Sequence, residues 1–139
     1  MNIGELILKL HRNVLHEIKS VSKLNQITAS QCLCIISIPY DGISQTNLAK
    51  KLSVDISTLS RNLDKLYNKK LINKQSDYPD KRISKIFLTN DGYSLNSKLI
   101  NDLNNNLFFL MNNNLINQNF IDQLSKLNWE LMQKQINEH

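Results

Sequence analysis

Residues 43–68 of this 139-residue chain read ISQTNLAKKLSVDISTLSRNLDKLYN. Twice in this stretch an apolar residue precedes a polar capping residue, and a second apolar residue stands five positions after the first: Ile43-Ser44 with Leu48, and Val54-Asp55 with Leu59. A capping side chain accepts from the open N–H groups of a first helical turn, and the apolar pair fixes the angle at which the chain enters. Helices are therefore expected to begin near residues 45 and 56, separated only by Leu52-Ser53-Val54, with Ala49 small enough for the second helix to approach closely. That is the layout of a helix-turn-helix. Successive residues step roughly 100° around a helix. Leu59, Leu63 and Leu66 thus share one face of the second helix, while Ser57, Arg61, Asp64 and Asn68 lie opposite, flanked by Thr58 and Lys65.

Downstream, Leu71 to Ser76 and Ile83 to Leu88 are short alternating segments around the turn-rich Asp77-Tyr78-Pro79-Asp80, which predicts a β-hairpin placed as a wing. Leu88-Thr89 with Tyr93 repeats the start pattern and opens another helix near residue 90. Upstream, Thr28 and Gln31 have capping-box spacing, so a short apolar helix begins there and stops near Pro39. Before it, Ile3, Leu6, Leu10, Val14, Ile18 and Val21 form one helical stripe, and the last fifty residues carry two more, Leu95 to Leu110 and Phe120 to Leu131. The expected fold is mainly α with a small β-hairpin wing. It is a single unit over 1–139, with a winged helix-turn-helix lobe at 27–94 and dimerisation helices at 1–26 and 95–139. The terminal stripes exceed what so small a lobe can cover, which favours an intertwined homodimer over a monomeric bundle.

Three Gly and two Pro leave few turn positions, consistent with a helical chain. A hydrophobic fraction of 41% permits a core, yet no apolar run approaches the roughly 18 residues a membrane helix needs. The N-terminal stretch has charges inside an amphipathic pattern, unlike an export signal, so the expected location is the cytoplasm, with no membrane partner. The formal net charge is +5, and it is unevenly spread. Residues 44–88 hold ten Lys or Arg against four Asp, whereas the remainder has seven basic and eight acidic residues. Concentrated positive charge is what a polyanion footprint requires, although a solvated basic face would look the same by charge alone. On the outer face of the helix starting near 56, Arg61 can pair bidentately with a guanine edge, Ser57 and Thr58 can meet base edges or phosphate, and Lys65 can hold the backbone. The expected partner is double-stranded DNA. A winged-helix module binding another protein is the alternative, and would not need Arg61, Lys81 and Arg82 on one surface.

The segment 47–61, NLAKKLSVDISTLSR, together with Asp80-Lys81-Arg82, then after five residues Leu88-Thr89, and after two more Gly92, resembles the helix-turn-helix and wing signature (D-x-R-x5-L-T-x2-G) of the MarR family of bacterial transcription regulators. The resemblance implies an obligate dimer joined through its terminal helices, with the helix from residue 56 in the major groove, Lys81 on the DNA-facing surface and Arg82 at the wing tip entering the minor groove. Asp80 would then brace that arginine. It further implies a small-molecule or stress signal acting where dimer helices meet the DNA-binding lobe, near which His11, Arg12 and Tyr40 could lie. Two positions depart from the pattern. Ser53 stands where the family usually has Gly, and Asn62 replaces a commonly apolar residue.

Cys32 and Cys34 are the only cysteines; two apart on a helix, they point about 200° from one another and read as inert core residues, with oxidant sensing as the alternative. His11 and His16 are about 140° apart and make no ligand pair, so no metal site is expected. No phosphate-cradling Gly loop, nucleophile with its base, or buried carboxylate pair is visible, and neither enzymatic activity nor a cofactor is expected.

Overall fold

The computed structural model describes residues 1–76 and 84–138. They fall into two compact units, Met1–Leu103 and Asn104–His139. The element order is α1 (Ile3–Leu24), α2 (Ala29–Ser37), β1 (Ile43–Ser44), α3 (Gln45–Leu52), α4 (Ile56–Asn68), β2 (Ile72–Ser76), β3 (Ser84–Leu88), α5 (Asn90–Asn112) and α6 (Gln118–Asn137).

Helix starts follow local side-chain chemistry closely. Thr28 and Gln31 form the expected reciprocal box at the head of α2, and Asn2 and Glu5 form a second one at the head of α1. Ser44, Asp55 and Asn117 cap α3, α4 and α6, each accepting from the backbone N–H three residues on.

Helix ends follow a rule that composition concealed. In a chain with three glycines, Gln26, Ser53, Lys70 and Asn114 all adopt positive φ, between 54° and 60°. At each, the following N–H reaches back five residues: Ile27 to Ser22, Val54 to Ala49, Leu71 to Leu66 and Leu115 to Leu110, at 3.0–3.1 Å. These are Schellman closures in which a side-chain-bearing residue holds the left-handed position usually given to glycine. For an L-residue that conformation costs roughly 1–2 kcal/mol, against which glycine's greater unfolded-state freedom offsets roughly 0.5–1. Ser53→Gly is therefore expected to stabilise the chain by about 0.5 kcal/mol, read as a small rise in the urea midpoint. A fall in that midpoint would mean that the Ser53 side chain contributes more than its strain costs.

The first unit packs on one core. Ile35, Leu48, Leu59, Leu63, Leu66, Ile72, Ile86 and Leu99 are fully buried, joining α2, α3, α4, the sheet and the first half of α5. The face Leu59-Leu63-Leu66 is thus the buried one, and buried Ala49 stands in α3. The sheet has three antiparallel strands in the order β1-β3-β2, where sequence suggested a hairpin alone. Ile43 and Ser44 pair with Ile86 and Lys85, so the residues that staple and cap α3 also extend the sheet. β2 and β3 pair from Ile72 with Leu88 to Ser76 with Ser84.

Two polar devices hold the pieces together. Lys98 donates to Asn25 Oδ1 (2.8 Å) and to Asp102 Oδ2 (3.0 Å), and Asn25 Nδ2 donates to the same carboxylate (2.9 Å) and to the Val21 carbonyl. This ties the end of α1 to α5, and the bonds from Asn25 and Lys98 hold the Asp102 carboxyl below its ordinary pKa. The second device explains Leu88-Thr89-x2-Gly92. Thr89 Oγ1 donates to the Lys70 carbonyl (2.7 Å) and accepts from Gly92 N (3.1 Å), while Thr89 N donates to the Leu71 carbonyl (3.1 Å). One threonine thus clamps the end of α4, the base of the hairpin and the start of α5.

In the second unit, α6 buries none of its residues. Phe120, Ile121, Leu124, Leu127 and Leu131 are all exposed along it. In the first half of α1, Ile3, Leu6, Leu10 and Val14 are exposed too, whereas Ile18 is half-buried and Val21 buried.

Candidate nucleic-acid interface

The turn between α3 and α4 is set by Ser53, after which Asp55 begins α4. Its carboxylate accepts from Thr58 N at 2.7 Å, from the Thr58 hydroxyl at 3.0 Å, and from the Ser57 hydroxyl. Those bonds, the Ser57 hydroxyl first and then the two from Thr58, lower the Asp55 pKa to about 2. Since its folded pKa is depressed below the ordinary value of 3.8, Asp55 stabilises the folded helix start fully above that value, and the contribution is lost as pH falls from there through about 2.

Beyond the cap, Arg61 is exposed and its Nε donates to the Ser57 carbonyl at 3.4 Å. That contact leans the stem along the helix, and no carboxylate engages the terminal nitrogens among the described residues. Ser57 and Lys65 are exposed and Thr58 is half-buried, so these four expected DNA contacts share the outer side of α4. Asn62, the departure from the family pattern, is half-buried on the flank.

Two lysines counted in the basic excess have internal partners. Lys51 Nζ donates to the Ser37 carbonyl at the end of α2 (2.8 Å), and Lys69 Nζ donates to the Gln26 carbonyl between α1 and α2 (2.9 Å). The wing residues Asp80, Lys81 and Arg82 lie outside the described residues.

Of the three residues offered for a signal site, two share one groove and Tyr40 does not line it. His11 and Arg12 line a shallow groove formed entirely by α1, with Glu5, Leu8 and Lys9. Tyr40, 86% exposed, lies between α2 and β1, with its ring 6.1 Å from that of Tyr93, whose hydroxyl donates to the Tyr40 carbonyl. Cys32 and Cys34 are free thiols buried in the core, and burial raises both pKa values, that of Cys34 to about 11. A buried thiol so rarely ionised is a poor nucleophile toward oxidants. No helix among the described residues is long and apolar enough to cross a membrane.

A sequence profile of the MarR family matches residues 27–84, from the head of α2 to the first residue of β3. No curated protein matches the chain by sequence. Among solved structures, the chain is similar to wild-type MarR in its apo form from E. coli, at 23% identity over 94% of this chain and 96% of that one, with a TM-score of 0.75. It is similar to the transcriptional regulator SlyA, at 23% identity over 99% and 96% with a TM-score of 0.75. A MarR transcriptional regulator from Methanosarcina mazei Go1 matches at 21% identity over 95% of both chains, with a TM-score of 0.76. The profile match runs through the helix-turn-helix, and along almost its whole length the chain has the winged-helix fold of these solved MarR-type regulators.

Proposed function

We propose that this protein is a cytoplasmic, non-catalytic regulator of transcription that binds a near-palindromic operator in double-stranded DNA as a homodimer. It represses by occupying the site and is released by a small-molecule or stress signal. The observation that carries the reading is the outer side of α4: an exposed Arg61 with no carboxylate partner among the described residues, six residues beyond the Asp55 cap, flanked by Ser57, Thr58 and Lys65. Arg61 reads a base edge, Lys65 contacts backbone phosphate, and Ser57 and Thr58 meet bases at the head of the helix. Lys81 and Arg82 act from the wing, Arg82 in the minor groove and braced by Asp80. His11, Arg12 and Tyr40 are the candidates for the signal. A two-fold dimer presents its paired helices to half-sites about one helical turn apart.

Selection of duplexes from a random pool supplies the operator. Arg61→Ala is then expected to lose about 1–3 kcal/mol per half-site on the operator and little on scrambled duplex, flattening the preference at one base pair in each half. Equal losses on both duplexes would reduce Arg61 to a phosphate contact. Failure of the wild-type protein to enrich or bind any duplex would remove the reading altogether.

A further inference from the structure

Where the end of α1, the start of α2 and the end of α4 meet, an open cleft of about 680 Å³ is lined by Lys19, Lys23, Lys65 and Lys69, with Asn68 between the last two. No carboxylate of the described residues lines it. Lys69 donates to the Gln26 carbonyl, and Lys19, Lys23 and Lys65 pair with no acid among the described residues. Lys19 and Lys23 are four apart on one helix, and Lys65 and Lys69 are four apart on another. Like charges at that spacing weaken a helix. The fold therefore directs two mutually repelling pairs into one concavity, an arrangement that an anion of several charges would relieve.

The position of the cleft indicates which anion. From Arg61 to Lys69 the axis of α4 advances about 12 Å at 1.5 Å per residue, which equals the width of about 12 Å of the major groove. With Arg61 at a base edge, the last turn of α4 lies at the rim of the groove, where the sugar-phosphate backbone runs. Lys65 and Asn68 belong both to the outer side of α4 and to the cleft, so the two surfaces are continuous.

We propose that this cleft is a phosphate site that grips the DNA backbone beside each half-site, with Lys19 and Lys23 of α1, a helix otherwise assigned to dimerisation, supplying the added contacts. The inference rests on the DNA-binding reading of α4. It is tested by measuring the affinity of the Lys19→Ala/Lys23→Ala double variant for operator and scrambled duplexes over a salt series. Both residues are exposed, and Lys19→Gln/Lys23→Gln serves in its place should the alanine pair fold poorly. The expected result is a loss on both duplexes alike, roughly tenfold at 0.1 M salt, and a shallower salt dependence by about two counterions per protomer. The Lys19→Arg/Lys23→Arg variant should retain wild-type values.

Wild-type affinity and slope in the neutralised variants, with the wild-type protein binding duplex normally, would overturn the site and leave the function of α4 standing. Absence of duplex binding by the wild-type protein would overturn both. Sodium tripolyphosphate, titrated calorimetrically without DNA, separates the remaining source. Tight binding lost in the double variant, alongside unchanged DNA affinity, would assign the cleft to a free polyphosphate and reject the duplex.

Discussion

Gly92→Ala should leave the protein severely destabilised, by about 3 kcal/mol, at the upper end of what forcing one methyl group into a packed site costs. A Cβ placed on Gly92 would stand 2.1 Å from the Leu71 carbonyl oxygen and 3.3 Å from the Leu88 Cβ. The obstructing atom is backbone, and that carbonyl already accepts from Thr89 N, so no rotamer change makes room. Relief requires α5 to move off the base of the hairpin, which breaks the Thr89 bonds to Lys70 and Gly92 and displaces the wing from α4. Urea denaturation gives the size of the effect, and operator binding by whatever fraction folds gives its reach. A midpoint within the error of wild type would show that the contact between α5 and the hairpin is slack.

The second large effect is expected from Leu124→Asp together with Leu127→Asp. In the protomer these side chains are 48% and 44% exposed, and α6 buries no residue. An isolated helix of this length draws little stability from propensity alone. On the homodimer reading, both leucines lie in a desolvated interface, and two carboxylates there would cost several kcal/mol unless the subunits part. Sedimentation of the wild-type protein should give a dimer at micromolar concentration, and the double variant a monomer or an unfolded chain without operator affinity. A dimeric, DNA-binding double variant would place the interface elsewhere, and a wild-type monomer near 16.1 kDa would end the homodimer reading.

Local chemistry made much of this fold readable. Helices begin at 45, 56 and 90 as expected because each start is encoded within about six residues, by a cap and its apolar pair. The face Leu59-Leu63-Leu66 was legible because helical periodicity decides it. β1 was not, since Ile43 and Ser44 become a strand only by pairing with Ile86 and Lys85, more than forty residues away. The left-handed closures at Gln26, Ser53, Lys70 and Asn114 escaped a reading that looked to glycine for turns, and the departure noted at Ser53 was the single sign of them. In the candidate interface, the outer side of α4 could be read from the angular step alone. The partners of Lys51 and Lys69 could not, because the carbonyls they reach are 14 and 43 residues distant. Lys19 and Lys23 were hidden by the same limit: the stripe of α1 that drew notice is apolar, and the lysines beside it gain meaning only when α4 is brought alongside.

The cap at Asp55 has a consequence for how α4 would address a base pair. Ser57 and Thr58 each place their one hydroxyl proton on the Asp55 carboxylate, which leaves only oxygen lone pairs to offer a partner. Arg61, one turn later, has N–H groups and no lone pair to offer. The head of the helix is thus graded along its length, from electron-rich oxygens to a cation. An edge that complements this order in the major groove presents an amino group first, cytosine N4 or adenine N6, and then the O6 and N7 pair of guanine. On the DNA-binding reading, thymine, whose O4 and methyl edge supplies no proton to either hydroxyl, would be disfavoured at the first of these positions for as long as Asp55 remains ionised.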